Sequence, residues 1–269
     1  MKRTVLPILI LCLTLLAGCG TSAGSVVTPS PTPPASTPSD NDLPGVEMWE
    51  MTCRIVDGAE GGTLILAEGE DGPYDGTGIY TFAVGDTPVW IDGEEKTAAD
   101  LADGMLVTVC WNGLVAESYP AQLGETYSLR AESKDTDDRC GLYLQVLEDL
   151  WEVDPGLNTE LEELGVDLSG LTDLSDSEKA AITWAFGWSH GLTPITGTWE
   201  ELVEQGYIDR EELIWNGHGC LFSLSGSADD TFQAEKWASG LGAYSFNDCT
   251  AKMGQDGSWT YTVGSEAIS

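Results

Sequence analysis

Apolar residues follow two different periods along this chain, and the change-overs divide it. Between Val46 and Ala131 the alternation is mostly of period two, the spacing of a half-buried strand. Val46, Met48, Cys53 and Ile55 lie among polar neighbours and predict a strand over 46–56. A second is predicted over 62–67 and a third over 78–84, where Ile79, Thr81 and Ala83 take one face and Tyr80, Phe82 and Val84 the other. Runs at 89–91, 105–111 and 127–131 continue the series, with one helical turn over 97–101. The pairs Asp57-Gly58, Gly85-Asp86, Asp92-Gly93 and Asp103-Gly104 are turn signals between them. Asn112-Gly113 predicts a tight hairpin into 114–118.

From Cys140 the period changes to three and four. Tyr143, Val146, Leu147, Leu150 and Trp151 share one face of a helix predicted over 140–151. The acidic, leucine-spaced stretch 158–170 predicts a short helix followed by a loop. Ser175-Asp176-Ser177-Glu178 is a capping box, in which serine and glutamate satisfy each other's free amides. It opens a helix to Ser189 whose stripe is Ala181, Trp184, Ala185 and Trp188. Thr198 and Glu201 repeat the cap, and Asp209 to Trp215 predicts one more short helix. Period two then returns at Cys220, Phe222 and Leu224, at 231–237, at 241–253 with a bend near Asn247-Asp248, and at 258–263. The predicted fold has two domains. A small antiparallel β-barrel covers 46–133, and an α+β domain with helices packed on a short antiparallel sheet covers 138–269.

The N-terminus has a different pattern. Lys2 and Arg3 precede an apolar run from Val5 to Leu16, shorter than the roughly 20 residues of a bilayer span. Small residues follow, and the layout predicts a signal peptide over 1–18. The string Leu16-Ala17-Gly18-Cys19 resembles the lipobox of bacterial lipoproteins. That resemblance implies removal of 1–18, diacylglycerol and palmitate on Cys19, and anchorage on the outer face of the cell membrane, with the rest of the chain extracellular. Residues 19–45 then form a linker rich in proline, serine and threonine, too poor in large apolar side chains to offset its own ordering entropy.

Charge narrows the partners. Losing Lys2 and Arg3 leaves 9 basic and 45 acidic residues, a formal −36. Nucleic acid needs a basic footprint and is excluded as a partner. The expected partners are the membrane, through the lipid on Cys19, and an envelope protein or glycan. Of the seven cysteines, Cys12 leaves with the signal and Cys19 takes the lipid. Five remain, an odd number, so at least one has no partner within the chain. Export permits disulfides, and Cys53 with Cys110 and Cys220 with Cys249 are the candidate pairs.

Candidate chemistry is sparse. No Cys-x-x-Cys or paired Cys/His spacing is present, and Asp167 to Asp173 has the oxygens of a calcium loop without its order. No cofactor or metal is expected. His218 stands two residues from Cys220, the one pairing with a nucleophile's geometry, and His190 ends a helix, where the dipole alone favours it. Trp90, Trp111, Trp184, Trp188 and His218 are the candidate ligand contacts. Asp92-Gly93, the run Leu101 to Val109, Asn112-Gly113 and Glu117 to Gln122 resemble a small domain of unknown function from lipoproteins of low-GC Gram-positive bacteria. The resemblance implies an OB-type barrel. The stretches 198–209, 234–244 and 259–269 are similar to uncharacterised lipoproteins of gut clostridia. The function expected is that of an anchored binding or assembly module without catalysis. A hydrolase of envelope peptide or glycan and a purely structural spacer are the alternatives.

Overall fold

The computed structural model describes residues 48–269. The signal peptide, Cys19 and the linker lie outside the described residues. The first sheet has nine strands: β1 (Trp49–Asp57), β2 (Thr63–Glu68), β3 (Ile79–Ala83), β4 (Val89–Ile91), β5 (Glu94–Lys96), β6 (Leu106–Trp111), β7 (Val115–Ala116), β8 (Ala121–Leu123) and β9 (Thr126–Ala131). Their order is β5-β4-β9-β6-β1-β2-β3-β8-β7. Strand β1 is central and antiparallel to both neighbours, with Cys53 opposite Glu68 on β2 and Val107 on β6. The β3–β8 and β4–β9 pairs are parallel. The sheet curls into a half-barrel, and its end strands β5 and β7 are not paired with each other among the described residues. The barrel expectation therefore holds in the coarse sense, without closure.

Alternation builds the inside of the curl. Met51, Cys53, Ile55, Leu64, Leu66 and Tyr80 are wholly buried in one core with Val107, Val109, Trp111 and Leu129. Ile65, Ala67 and Ile79 point the other way and are buried as well. They join a second core, which explains why β2 is covered along nearly all its length. What covers this outer face is a layer of two helices, α1 (Arg139–Glu152) and α2 (Asp176–Ser189).

Asp138 caps α1, accepting from the Gly141 amide at 3.1 Å. Ser175 and Glu178 cap α2 reciprocally, as the sequence predicts. Both helices touch the first sheet on one side and the second sheet on the other. Tyr143, Val146, Ile182 and Phe186 share the buried core with Val56 and Ile65 of the first sheet and Leu164 and Phe222 of the second. The side chain of Arg54 on β1 donates to the carbonyls of Gly104 and Asp135 and sits 3.5 Å from the carboxylate of Glu178 on α2.

The second sheet contains β10 (Glu163–Leu171), β11 (Pro194–Thr196), β12 (Ile208–Asp209), β13 (Ile214–Trp215), β14 (Gly219–Gly226), β15 (Phe232–Ser239), β16 (Gly242–Met253), β17 (Trp259–Thr262) and β18 (Ser265–Ile268). A short helix α3 (Trp199–Glu204) follows β11. Strands β14, β15 and β16 form the antiparallel meander, with β17 and β18 on the far side of β16. The expected bend falls where Asp248 has φ +51° and the β15–β16 register shifts.

Three local expectations are corrected. The stretch 158–170 is not a helix and loop. Its end is β10, parallel to β11 and to β14, because Leu164, Val166 and Leu168 bury at period two. Asn112-Gly113 does not make a β6–β7 hairpin, because β6 is already flanked by β1 and β9, and β7 pairs with β8. The predicted helix at 209–215 is a two-stranded turn: Asp209 accepts from the amides of Glu211 and Glu212, and Ile208 pairs with Trp215.

The disulfide pairs are also corrected. Cys53 and Cys110 lie on adjacent strands, but Cys53 is opposite Val107, so Cys110 projects from the other face of the sheet. Cys220 sits near one end of β14, while Cys249 on β16 lies opposite Phe232, which pairs with Gly226 at the other end of β14. All five described cysteines are free and buried.

Candidate functional site

The capping box sets the phase of α2 and thereby the direction of its tryptophans. Ser177, Ala181, Trp184 and Trp188 follow at intervals of four, three and four and share one helix face. Ser177 and Ala181 are wholly buried against the first sheet. The stripe then emerges from cover: Trp184 is half-buried and Trp188 is 70% exposed.

Tyr119 meets this stripe from the segment between β7 and β8 and is 68% exposed. Its ring stands edge-on to Trp184, with centroids 5.7 Å apart and planes at 88°. Trp184 and Trp188 are stacked with an offset, 6.0 Å apart at 23°. Both arrangements suit the ring quadrupoles. The three rings make one aromatic ridge from two parts of the chain that the sequence assigns to separate domains. Clustered exposed rings are the kind of surface that partners cover, and here they stand in an otherwise acidic chain.

The remaining candidates are dispersed. Trp111 is 2% exposed and inside the half-barrel, and its indole nitrogen has no hydrogen-bond partner. Trp90 is 39% exposed, on the face of β4 opposite Val89 and Ile91, which are in the core. The two therefore share no platform. His218 is exposed and outside β14, and its backbone carbonyl receives the amides of Glu162 and Glu163. Cys220 is wholly buried, and burial pushes its thiol up to about 12. That is the opposite of what an activated nucleophile requires. His190 stacks on Trp151 at 3.7 Å and sits 3.0 Å from the carboxylate of Glu148, closing the end of the aromatic core.

Asp167 is occupied locally, accepting from the amide and hydroxyl of Ser169 at 2.9 and 2.6 Å. Among the described residues no group of three or more His, Cys, Asp or Glu is placed to hold a metal ion. No described helix is long and apolar enough to cross a membrane. Tyr119 is the ridge residue that sequence reasoning missed. Its partner is distant in the chain, and only docking of the helix layer on the first sheet joins them. No family model, curated protein or solved structure matches the chain.

Proposed function

We propose that this chain is a lipid-anchored binding module of the outer membrane face, and that the ridge of Tyr119, Trp184 and Trp188 is its contact surface for envelope glycan. The half-barrel is read as a divergent OB-type barrel, a fold that commonly presents one face to saccharides. The lipobox-like string at Cys19 supports the anchor, and the linker over 19–45 supports display away from the bilayer.

The observation that carries the reading is the exposure of two stacked or edge-packed ring faces at one place. Indole and phenol faces complement the C–H faces of pyranose rings. An uncharged polyol surface is also not repelled by a chain of formal charge −34, as an anionic polymer would be.

Tryptophan fluorescence titrated with soluble cell-wall oligosaccharides tests this. Saturable quenching in the natural chain, lost in Trp188→Ala, is the expected result. An absence of any change with every oligosaccharide, together with specific crosslinking of one envelope protein through the ridge, would replace glycan by protein as its partner.

A further inference from the structure

A second contact surface is built from two adjacent turns of the second sheet. The β12–β13 turn carries Arg210, Glu211, Glu212 and Leu213. The β15–β16 turn is Gly240-Leu241, between the paired residues Ser239 and Gly242. The two turns are tied together. The Gly240 amide donates to the Leu213 carbonyl at 2.7 Å, and Ile214 pairs with Ser239. Glycine at 240 permits the approach, since a Cβ there would lie 3.2 Å from that of Leu213.

The result is an exposed apolar tip. Five leucines or isoleucines are exposed among the described residues, and Leu213, Ile214 and Leu241 bring three of them to this one place. Leu241 is 92% exposed. Leu213 is also held in the left-handed region, at φ +54°. The other described non-glycine residues in that region are four aspartates and a glutamate. Aspartate offsets the strain by bonding to nearby backbone, and leucine has no such bond to make. Neither burial nor local conformation favours a leucine at 213, and an outlier of this kind calls for a role outside the fold.

Charge and size select the occupant. Glu211 and Glu212 are exposed beside Leu213, and Asp209 fixes the turn by accepting from both their amides. Arg210 is the single cation of the turn. A second copy, of formal charge −34, would be repelled, and so would an anionic bilayer. Three aliphatic side chains also fall short of the roughly 800 Å² per partner that a stable protein interface buries. A short segment bearing both apolar and basic side chains suits the tip in area and in charge.

We propose that this tip docks a cationic amphipathic peptide helix. The apolar stripe of the helix covers Leu213, Ile214 and Leu241, and the lysine or arginine side chains that flank the stripe meet Glu211 and Glu212. None of these residues belongs to the aromatic ridge.

Fluorescence anisotropy of labelled peptides with the full-length chain tests the assignment. The probe is a peptide of about 14 residues, long enough to form a helix, with leucine at intervals of three and four and lysine elsewhere. Two controls keep its length. One has glutamate in place of lysine, and the other has the same leucines and lysines in an order without the stripe. The probe should bind saturably, the scrambled peptide at least roughly tenfold more weakly, and the acidic peptide not at all. Leu241→Ser and Leu213→Gly should each weaken binding about tenfold. Leu213→Gly also relieves the left-handed strain, so its denaturant midpoint should hold or rise while binding falls. Glu211→Gln combined with Glu212→Gln should weaken binding and flatten its salt dependence. Equal binding of the probe and the scrambled peptide, or undiminished binding by both leucine variants, would overturn the proposal and assign the binding to general acidity. No saturable binding up to about 100 μM would overturn it as well. So would Leu241-dependent binding to phosphatidylcholine vesicles in place of the peptide, which would make the tip a membrane contact. These outcomes do not bear on the ridge, which is read by fluorescence with oligosaccharides.

Discussion

The hydroxyl of Ser177 donates to the backbone carbonyl of Glu68 across 2.7 Å, with both residues buried. This bond ties the first turn of α2 to the end of β2. The same glutamate turns its carboxylate inward, accepting from the Tyr74 amide at 2.7 Å and the Tyr80 hydroxyl at 2.9 Å. There is room for this because positions 72 and 78 are glycine: a Cβ at either would fall about 2 Å from a Glu68 carboxylate oxygen. Burial, with the Glu68 charge added, pushes the Tyr80 hydroxyl far up, so it remains a donor. Ser177→Ala leaves the Glu68 carbonyl unpaired in a buried place. We expect a loss of about 1–2 kcal/mol, read as one cooperative denaturant transition at a lower midpoint. A split into two transitions would show that sheet and helix layer unfold separately.

Lys236 supplies a second test of the shared core. It is wholly buried, and its ammonium donates to the carbonyls of Trp151, Val153 and Asp154 and to the side-chain oxygen of Asn158. A strand thus caps the C-terminus of α1, where free carbonyls and the negative end of the dipole favour a cation. Burial pulls its pKa down. Lys236→Met keeps the aliphatic stem and removes the donor, leaving several carbonyls unsatisfied. The expected cost is about 2–4 kcal/mol by chemical denaturation. An unchanged midpoint would mean that water replaces the ammonium.

Acidification should stabilise the fold over a defined window. Burial is the main reason that Asp138 is raised from 3.8 to about 6, with the charges of Asp103, Asp137 and Asp57 adding to it and the bond from Gly141 opposing. Between about pH 6 and 4 the folded state therefore binds a proton that the unfolded chain does not, so stability rises as pH falls through that window. The burden is fully present above the folded value and relieved below the unfolded one. Denaturant midpoints at pH 7 and pH 5 should show this gain in the natural chain. Asp138→Asn retains a capping oxygen and should lose most of it. An equal gain in the variant would assign the effect to other carboxylates.

The thiols offer a chemical readout. Burial pushes the thiols of Cys53 and Cys140 far up, as it does that of Cys249 to about 11. We expect Cys53, Cys110, Cys140, Cys220 and Cys249 to be unreactive toward a thiol reagent in the folded chain and all to react in guanidinium. Reductant should leave the melting temperature unchanged. A fall in melting temperature with reductant would indicate a disulfide.

Much of this architecture is legible from residue order, where one element carries its own signals. Helix α2 runs from Asp176 to Ser189 as its capping box and Gly191 predict. Strand β10 is misread because Leu161, Leu164, Leu168 and Leu171 follow a helical spacing, while the strand's own signal, Leu164, Val166 and Leu168 at period two, is short. Parallel partners distant in the chain decide between the two. The same limit governs the candidate sites. Trp184 and Trp188 are visible as a stripe, but Tyr119 acquires meaning only after the layers dock. Likewise the two sequence domains are not separate bodies of packing, since Val56, Ile65, Ala67 and Ile79 spend their outward faces on the helices.

The placement of β1 has a mechanical consequence. The described chain begins with this strand, which is laced to β6 on one side and β2 on the other. Tension applied at Trp49 along the strand would load both ladders in shear, many bonds at once, instead of unzipping them one by one. A pull entering at Trp49 would thus meet two ladders together rather than the loose edge of a sheet.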